Sequence, residues 1–260
     1  MACSPFAAPG AQSGAAAKTT TLTVFAAASL TNAFGEIGAN FSVANPDTEI
    51  VFNFAGSNQL STQIAEGAPA DVFAAANATQ MTAALQSGRI DGAAQRVFAH
   101  NRLVVVLPGD NPAGLATLED LRKPGLKIVL AAAEVPAGQY ALEFLDKAAA
   151  SDSLGAGYRD AVLANVVSYE TNVRAVLSKV VLGEADAGIV YASDAAAQSD
   201  QIQQISIPDE LNTIASYPIA PLADSEHFAL AQQFVDYVLG PDGQKVLAAY
   251  GFAAANGEDK

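Results

Sequence analysis

Apolar residues follow two different spacings along this chain, and the two spacings alternate. Near the N-terminus, 24–28 is a short apolar run, after which Leu30, Phe34, Ile37 and Phe41 recur at the interval of one helix face. The short run is typical of a buried strand, and the second spacing is typical of an amphipathic helix. The pattern therefore predicts a strand that runs directly into a helix.

The same order of elements continues through the first third of the chain. Strands are predicted at 21–27, 48–55 and 71–75, and helices at 29–44, 57–66 and 77–88. Alternating strands and helices form right-handed crossovers and a mostly parallel sheet. This part of the chain is predicted to be an α/β unit.

A long apolar stretch leads from this unit into a second one. The stretch 96–107 is long enough for a strand that passes from one domain to another, and the prolines and glycine of 108–112 then break the chain. Strands are predicted at 126–132, 166–169, 185–191 and 202–207, and helices at 138–149, 172–182 and 193–199. A turn-rich segment, 208–221, returns to an amphipathic helix at 225–239 and a last helix that includes Tyr250.

Composition restricts the possible functions. The chain has 260 residues, of which 51% are hydrophobic, enough for one large packed domain or two smaller ones. Its formal net charge of -14 at pH 7 repels nucleic acid and anionic membrane surfaces. We therefore expect no nucleic-acid partner, and any bound anion must be held by local hydrogen-bond donors. No run of eighteen apolar residues occurs, so no transmembrane helix is predicted.

Four predicted strand-to-helix junctions carry hydroxyl or free amide groups: 28–30, 56–58, 135–138 and 171–173. In an open parallel sheet, such junctions lie at the carboxyl ends of the strands, where ligands bind, and two facing sheets would enclose a site. Ser29 and its counterparts have two possible roles, since they can cap a helix or leave helix N–H groups free for an anion. Small residues around three of the junctions would let an anion approach the backbone, which favours the second role.

Six segments, in this order, resemble the molybdate-binding proteins of molybdate ABC transporters. They are 25–31 (FAAASLT), 54–60 (FAGSNQL), 70–73 (ADVF), 135–138 (VPAG), 172–174 (NVR) and 186–191 (DAGIVY). The resemblance covers roughly 21–252. Each segment alone is a weak signal, and the resemblance is specific because all six occur in the order found in the family. In the family an Asp-Pro pair often precedes the VPAG run, whereas this chain has Ala-Ala-Glu ending at Glu134. The path of that loop is therefore not implied by the resemblance.

The resemblance implies an α/β protein with the two-domain periplasmic-binding-protein fold of type II. Each domain would be a mostly parallel sheet flanked by helices, and two crossover segments would form the hinge. We assign 1–19 to a flexible tether, 20–101 plus 219–260 to domain I, and 102–218 to domain II. The implied function is an extracytoplasmic solute-binding protein, a monomer, that captures molybdate by hinge closure and delivers it to a membrane permease.

The resemblance also implies the ligand set. The hydroxyls of Ser29 and Ser57 match the first-domain ligands, and backbone amides near Ala137 and Val173 with the phenol of Tyr191 match those of the second domain. No cofactor and no metal cation are implied, because molybdenum would enter only as its oxyanion.

The chemistry of these groups agrees with a fully deprotonated oxyanion. Hydroxyls and helix N–H groups can all donate, and none carries a formal charge. Monohydrogen phosphate would also need an acceptor, and no matched position is a carboxylate. Sulfate, molybdate and tungstate remain, and molybdate is preferred on the resemblance, with tungstate expected to bind comparably. A protein for sulfate or a small organic anion is the alternative.

Other classes of function receive less support. The serines are not in a Gly-x-Ser-x-Gly turn, and no glycine-rich phosphate loop or dinucleotide motif occurs, so we expect no enzyme. His100 and His227 are distant in sequence and predict no metal site. Arg174 could add positive potential to the site, bridge the cleft or be solvated, and Asp71 could be a cap or a buried acceptor. A further alternative is a surface module that binds another protein. Such a module would show no ligand-dependent change in melting temperature.

The lone cysteine has two interpretations. Cys3 precedes a stretch rich in Ser, Pro, Gly and Ala, as does the lipid-modified cysteine of a bacterial lipoprotein. The less favoured interpretation is an incidental thiol, and in either case one cysteine excludes an internal disulfide. The expected location is the periplasm or the cell surface, with anchoring through Cys3.

Overall fold

Strands and helices alternate along a chain that forms two β-sheets. The structure, a computed structural model, describes residues 19–255. Its strands are β1 Thr20–Ala27, β2 Thr48–Ala55, β3 Val72–Ala74, β4 Arg96–Asn101, β5 Leu103–Pro108, β6 Ile128–Ala131, β7 Val166–Glu170, β8 Ala187–Tyr191, β9 Ile202–Ser206, β10 Ala215–Pro221 and β11 Ala253–Ala254. Its α-helices are α1 Thr31–Ala44, α2 Ser57–Ala65, α3 Ala78–Leu85, α4 Pro136–Ala150, α5 Tyr158–Ala164, α6 Val173–Val181, α7 Ala192–Ala196, α8 Phe228–Leu239 and α9 Pro241–Ala249.

The first sheet has the strand order β11-β4-β10-β3-β1-β2. Its strands β1, β2 and β3 are parallel, and Ala27 at the end of β1 pairs with Ala55 at the end of β2. Parallel pairing in this register brings the following turns, which carry Ser29 and Ser57, to the same edge of the sheet. We call this sheet with α1, α2, α3, α8 and α9 the first half of the molecule.

The second sheet has the order β7-β6-β8-β5-β9, and β6 runs parallel to both β7 and β8. Their carboxyl ends lead into α4, α6 and α7, so the turns before these helices also meet at one edge. We call this sheet with α4, α5, α6 and α7 the second half.

The α/β class with two sheets flanked by helices is confirmed, but the sheets are mixed rather than mostly parallel. β10 runs antiparallel to β3 and β4, and β5 runs antiparallel to β8 and β9. Strands β5 and β10 each directly follow a segment in which the chain crosses from one sheet to the other. The strands that lead into the candidate site are the parallel ones.

The chain crosses between the sheets twice. The apolar stretch 96–107 splits into β4 of the first sheet and β5 of the second, with Arg102 alone between them. The second crossing is 207–214, between β9 and β10. The Asn212 side chain joins the two crossings, because its Oδ1 accepts the Leu103 N–H at 3.0 Å and its Nδ2 donates to the Leu103 carbonyl at 2.9 Å. The division into domains at 101/102 and 218/219 stays a prediction.

Aromatic side chains pack the C-terminal helix α8 against α1 in the first half. Phe34 of α1 lies 5.6 Å from Phe98 of β4, and Phe41 lies 5.4 Å from Phe234 of α8, measured between ring centroids. Helix α8 is thereby held on the sheet that the chain had left at Arg102.

Several local predictions differ from the structure. The helix expected from residue 29 begins with a 3-10 turn, Ala28–Leu30, and continues as α1 from Thr31. The seven-residue helix α5 was not predicted, since only Tyr158 and Val162 of it are buried and too few apolar positions mark its face.

The tether 1–19 lies almost wholly outside the described residues, as does Cys3. Within 19–255, no helix combines the length and apolar character needed to cross a bilayer.

Candidate oxyanion-binding site

The junctions singled out in the sequence meet in one cavity between the two halves. All five predicted site residues line this one small cavity: Ser29, Ser57, Ala137, Val173 and Tyr191. Small neighbours complete the lining, among them alanines from the ends of β1 and β2. The structure thus brings together residues that lie up to 162 positions apart in sequence, since each lies at or just after the carboxyl end of a strand.

The N-termini of α2, α4 and α6 lie at this cavity. The first N–H groups of a helix have no acceptor within it and carry a partial positive charge. At α4, Pro136 has no N–H and Gln139 donates to Val135, which leaves the N–H groups of Ala137 and Gly138 without a helical acceptor. At α6, the Asn172 side chain accepts from the Ala175 N–H at 3.0 Å and from no other N–H group of residues 19–255. The N–H group of Val173 is left for another acceptor.

Neither site serine caps its helix. No side-chain cap bond is present at the start of α2 or of the 3-10 turn that holds Ser29. The Ala76 N–H donates to Ser57 Oγ at 3.0 Å, so the proton of the Ser57 hydroxyl is free to be donated elsewhere. Ser29 Oγ lies 3.0 Å from Tyr217 Oη. Both serines are buried, so their hydroxyls must find partners within the protein or in a ligand.

The phenol of Tyr191 is the unsatisfied group of the cavity. Tyr191 ends β8 and is 1% exposed, and its Oη has no hydrogen-bond partner among the described residues. Burial, with the neighbouring phenol of Tyr217, raises the pKa of Tyr191 well above its usual value, so the group remains a neutral donor. Leaving a buried hydroxyl unpaired costs about 1–3 kcal/mol, so a ligand that accepts its hydrogen bond is expected.

No charged side chain lines the cavity within the described part of the chain. Arg174, one residue after Val173, instead spans the gap between the halves, because its Nη2 donates to Asn32 Oδ1 of α1 at 2.9 Å. Of the three roles considered for Arg174, the structure supports the bridging one.

Arg174 also faces a buried carboxylate. Its Nε lies 2.8 Å from Asp194 Oδ1 in an ion pair that lacks hydrogen-bond alignment, and Asp194 is fully buried. Burial raises the pKa of Asp194 to about 6, although the Arg174 charge acts in the opposite direction. Asp194 and Asn32 were not identified from the sequence, because single Asp and Asn residues carry no local signal of a partner far along the chain.

The remaining polar candidates have structural roles. Asp71 accepts from the Thr23 N–H at 2.7 Å and from the Ser225 hydroxyl, which ties β3 to its surroundings as a buried acceptor. His100 Nδ1 lies 3.1 Å from Ser216 Oγ across the β4–β10 pair. Among the described residues, no group of His, Cys, Asp and Glu side chains could hold a metal ion.

The sequence matches the family described as bacterial extracellular solute-binding protein over residues 22–253. It is 38% identical over 232 residues to the molybdate-binding protein ModA of Mycobacterium tuberculosis strain H37Rv, covering 89% of this chain and 84% of that protein. The chain belongs to the ModA family of solute-binding proteins. The predicted family is thereby confirmed, and members of this family are solute-binding transport proteins rather than cofactor-dependent enzymes.

Two solved structures share the fold of this family member. The periplasmic molybdate-binding protein of Azotobacter vinelandii has a TM-score of 0.78 at 19% identity, covering 90% of this chain and 100% of that one. The sulfate-binding protein SubI of M. tuberculosis has a TM-score of 0.80 at 19% identity, covering 91% and 88%. Both confirm the periplasmic-binding-protein fold, and membership of the family indicates a location outside the cytoplasm.

Proposed function

We propose that this protein captures molybdate outside the cytoplasm and delivers it to the permease of an ABC transporter. The observation that carries the proposal is the buried Tyr191 phenol, which lacks a partner in a cavity otherwise lined by uncharged donors. The curated relative from M. tuberculosis is named as a molybdate-binding protein, which supports the same ligand.

The donor set favours an anion that accepts hydrogen bonds and offers none. Ser57, Ala137, Val173 and Tyr191 each present a donor that nothing else in the described residues requires. Molybdate, tungstate and sulfate carry no proton at neutral pH, so all their oxygens can accept. Monohydrogen phosphate would place its proton against another donor, which is repulsive in a buried cavity.

Sulfate is the second candidate, because its charge and tetrahedral shape would satisfy the same donors. SubI is named as a sulfate-binding protein, but at 19% identity the similarity to it concerns the fold alone. Molybdate and tungstate are larger than sulfate and nearly equal to each other in size. We therefore propose that tungstate binds comparably to molybdate.

We further propose that the anion enters when the two halves open about the two crossings, at Arg102 and 207–214. In the structure the halves touch around the cavity: Asn77 Nδ2 donates to Gln139 Oε1 at 3.2 Å. A Cβ on Gly56 would lie 2.6 Å from the Thr171 carbonyl oxygen, so the backbones also approach closely there. An anion that bonds to donors of both halves would be held between them, which supports opening as a step in binding and release.

We also propose that the protein acts as a monomer and that it is anchored through a lipid on Cys3. A tethered binding protein would stay near its permease without depending on attraction to a membrane surface, which its net charge of -14 opposes.

Titration calorimetry of the purified protein with molybdate, tungstate, sulfate and phosphate tests the ligand. We expect one molybdate or tungstate per chain with similar affinity, weaker binding of sulfate, and no binding of phosphate. Tighter binding of sulfate than of molybdate would favour the second candidate. Absence of binding by all four anions would contradict the proposed function.

A further inference from the structure

Tyr217 lies behind the cavity and contacts donors from both halves. It belongs to β10 of the first sheet and is fully buried. Its Oη is 3.0 Å from Ser29 Oγ, and its ring meets the Tyr191 ring edge to face with the centroids 5.8 Å apart. Tyr217 itself is not part of the cavity lining, so its effect on a ligand would pass through Ser29 and Tyr191.

The bond between Ser29 and Tyr217 joins two hydroxyls, of which only one can donate. If Ser29 donated to Tyr217, its single proton would be unavailable to an anion. If Tyr217 donates, the Ser29 oxygen is occupied as an acceptor and its proton is free to point into the cavity. An anion in the cavity selects the second arrangement, because the alternative places an oxygen lone pair of Ser29 against negative charge.

The environment of Tyr217 keeps its proton available for this role. Burial raises the pKa of Tyr217 far above its usual value, so the phenol keeps its proton at any physiological pH. The ring is held in place by Phe252 and Phe98, whose centroids lie 5.4 and 6.1 Å away in edge-to-face contacts. The hydroxyl is therefore aimed at Ser29 by packing that does not involve the ligand.

We propose that Tyr217 is a positioning residue, whose phenol donates to Ser29 Oγ and thereby directs the Ser29 proton to the bound oxyanion. This inference rests on the proposed function. Tyr217 and Ser29 belong to the same half, so the Ser29 donor is oriented before the halves close. A chain of donors from Tyr217 through Ser29 to the anion polarises each bond in the same sense, which strengthens the bond to the ligand.

A double-mutant cycle with Tyr217→Phe and Ser29→Ala tests this role by calorimetry with molybdate. Tyr217→Phe keeps the ring contacts and removes the donor, so we expect affinity to fall about 3- to 10-fold, the range of one ordinary hydrogen bond. Ser29→Ala removes a donor to a charged ligand, and we expect a loss of about 10- to 100-fold. The double variant should bind as weakly as Ser29→Ala alone, because Tyr217 acts through the Ser29 hydroxyl.

Tyr158→Phe is the matched control. Tyr158 is also fully buried, and its phenol donates to the Leu118 carbonyl at 2.6 Å, in the second half and away from the cavity. Its replacement should lower the melting temperature without changing molybdate affinity. A purely structural role of Tyr217 would give the same result as this control.

A second measurement uses the wild-type protein with labelled tyrosine. A Tyr217 hydroxyl proton donated to Ser29 should exchange slowly with water in NMR spectra, with and without molybdate. Fast exchange, or loss of this proton signal when molybdate is added, would overturn the inference even if Tyr217→Phe did not fold.

The outcomes separate this inference from the proposed function. Wild-type affinity in Tyr217→Phe, or losses that multiply in the double variant, would overturn the positioning role while molybdate binding by the wild-type protein stands. Failure of the wild-type protein to bind any of the tested anions would overturn the proposed function and the positioning role together.

Discussion

At the scale of single residues, the cavity holds hydroxyl groups whose hydrogen bonds are incomplete. Ser57 accepts from the Ala76 N–H, and among the described residues neither its own hydroxyl proton nor the Tyr191 phenol has a hydrogen-bond partner. Buried polar groups in folded proteins are nearly always paired, so these two donors are kept at a cost to stability. The cost is offset when a bound oxyanion accepts from them.

Tyr191→Phe should therefore change stability and affinity in opposite directions. Without ligand, the variant loses an unpaired buried hydroxyl and should unfold at the same temperature as wild type or a higher one. Molybdate affinity should fall because one donor to a charged group is lost, at about 1.5–3 kcal/mol. Thermal melting without ligand and calorimetry with molybdate measure the two effects. An unchanged affinity would show that the phenol does not contact the ligand.

At the scale of elements, the position of α4 depends on one close approach. A Cβ at Gly138 would lie 2.0 Å from the Ala132 carbonyl oxygen and 2.4 Å from that of Ala131, at the end of β6. Real Cβ atoms do not come so near to backbone oxygens, so only glycine allows α4 to begin against β6. This contact places the N–H of Ala137 in the cavity.

Gly138→Ala should move the N-terminus of α4 away from β6. The overpacking should destabilise the protein by about 1–3 kcal/mol and weaken molybdate binding, because the amide donors are displaced. Gly35→Ala is the control, since Gly35 is exposed on α1 and its Cβ would meet no atom within 4 Å. The control should be stabilised by roughly 0.5–1 kcal/mol with unchanged affinity. Wild-type melting and affinity in Gly138→Ala would refute the role given to this contact.

At the scale of the whole molecule, polar side chains join the halves around the cavity, beside the contact between the Tyr191 and Tyr217 rings. Arg174 donates to Asn32 at 2.9 Å, and Asn77 donates to Gln139 at 3.2 Å. Such exposed or half-exposed bonds contribute little net free energy each. A ligand that bonds to both halves at once would shift the population toward the closed form, since it binds the open form less well.

Small-angle X-ray scattering should then show a smaller radius of gyration when molybdate is added. Asn32→Ala removes the acceptor of Arg174 and should weaken affinity several-fold, while saturating molybdate still compacts the protein. Asn40→Ala, an exposed position on the same helix, should behave as wild type. A radius that does not respond to molybdate in the wild-type protein would contradict closure.

The local features of the site could be predicted from the sequence. Apolar spacing identifies β1, β2, α1 and α6 because it records which residues of a short segment face the core. The same spacing locates the junctions, and the small and hydroxyl residues there predict donors for an anion. The set of five site residues, Tyr191 included, came from the family resemblance. All five line one cavity, and their contacts with a ligand stay predictions.

The sequence by itself thus determined the α/β elements, the two crossings in outline and the uncharged character of the site, because each depends on residues that are near one another in the chain. Only the tertiary structure decided that the sheets are mixed, that Arg174 pairs with Asp194 and Asn32, and that Tyr217 meets Ser29. Ser29 and Tyr217 are 188 residues apart, and no local pattern marks either as the partner of the other. Such pairs arise from strand order and from the direction in which the chain returns between the sheets, which packing of the whole molecule determines.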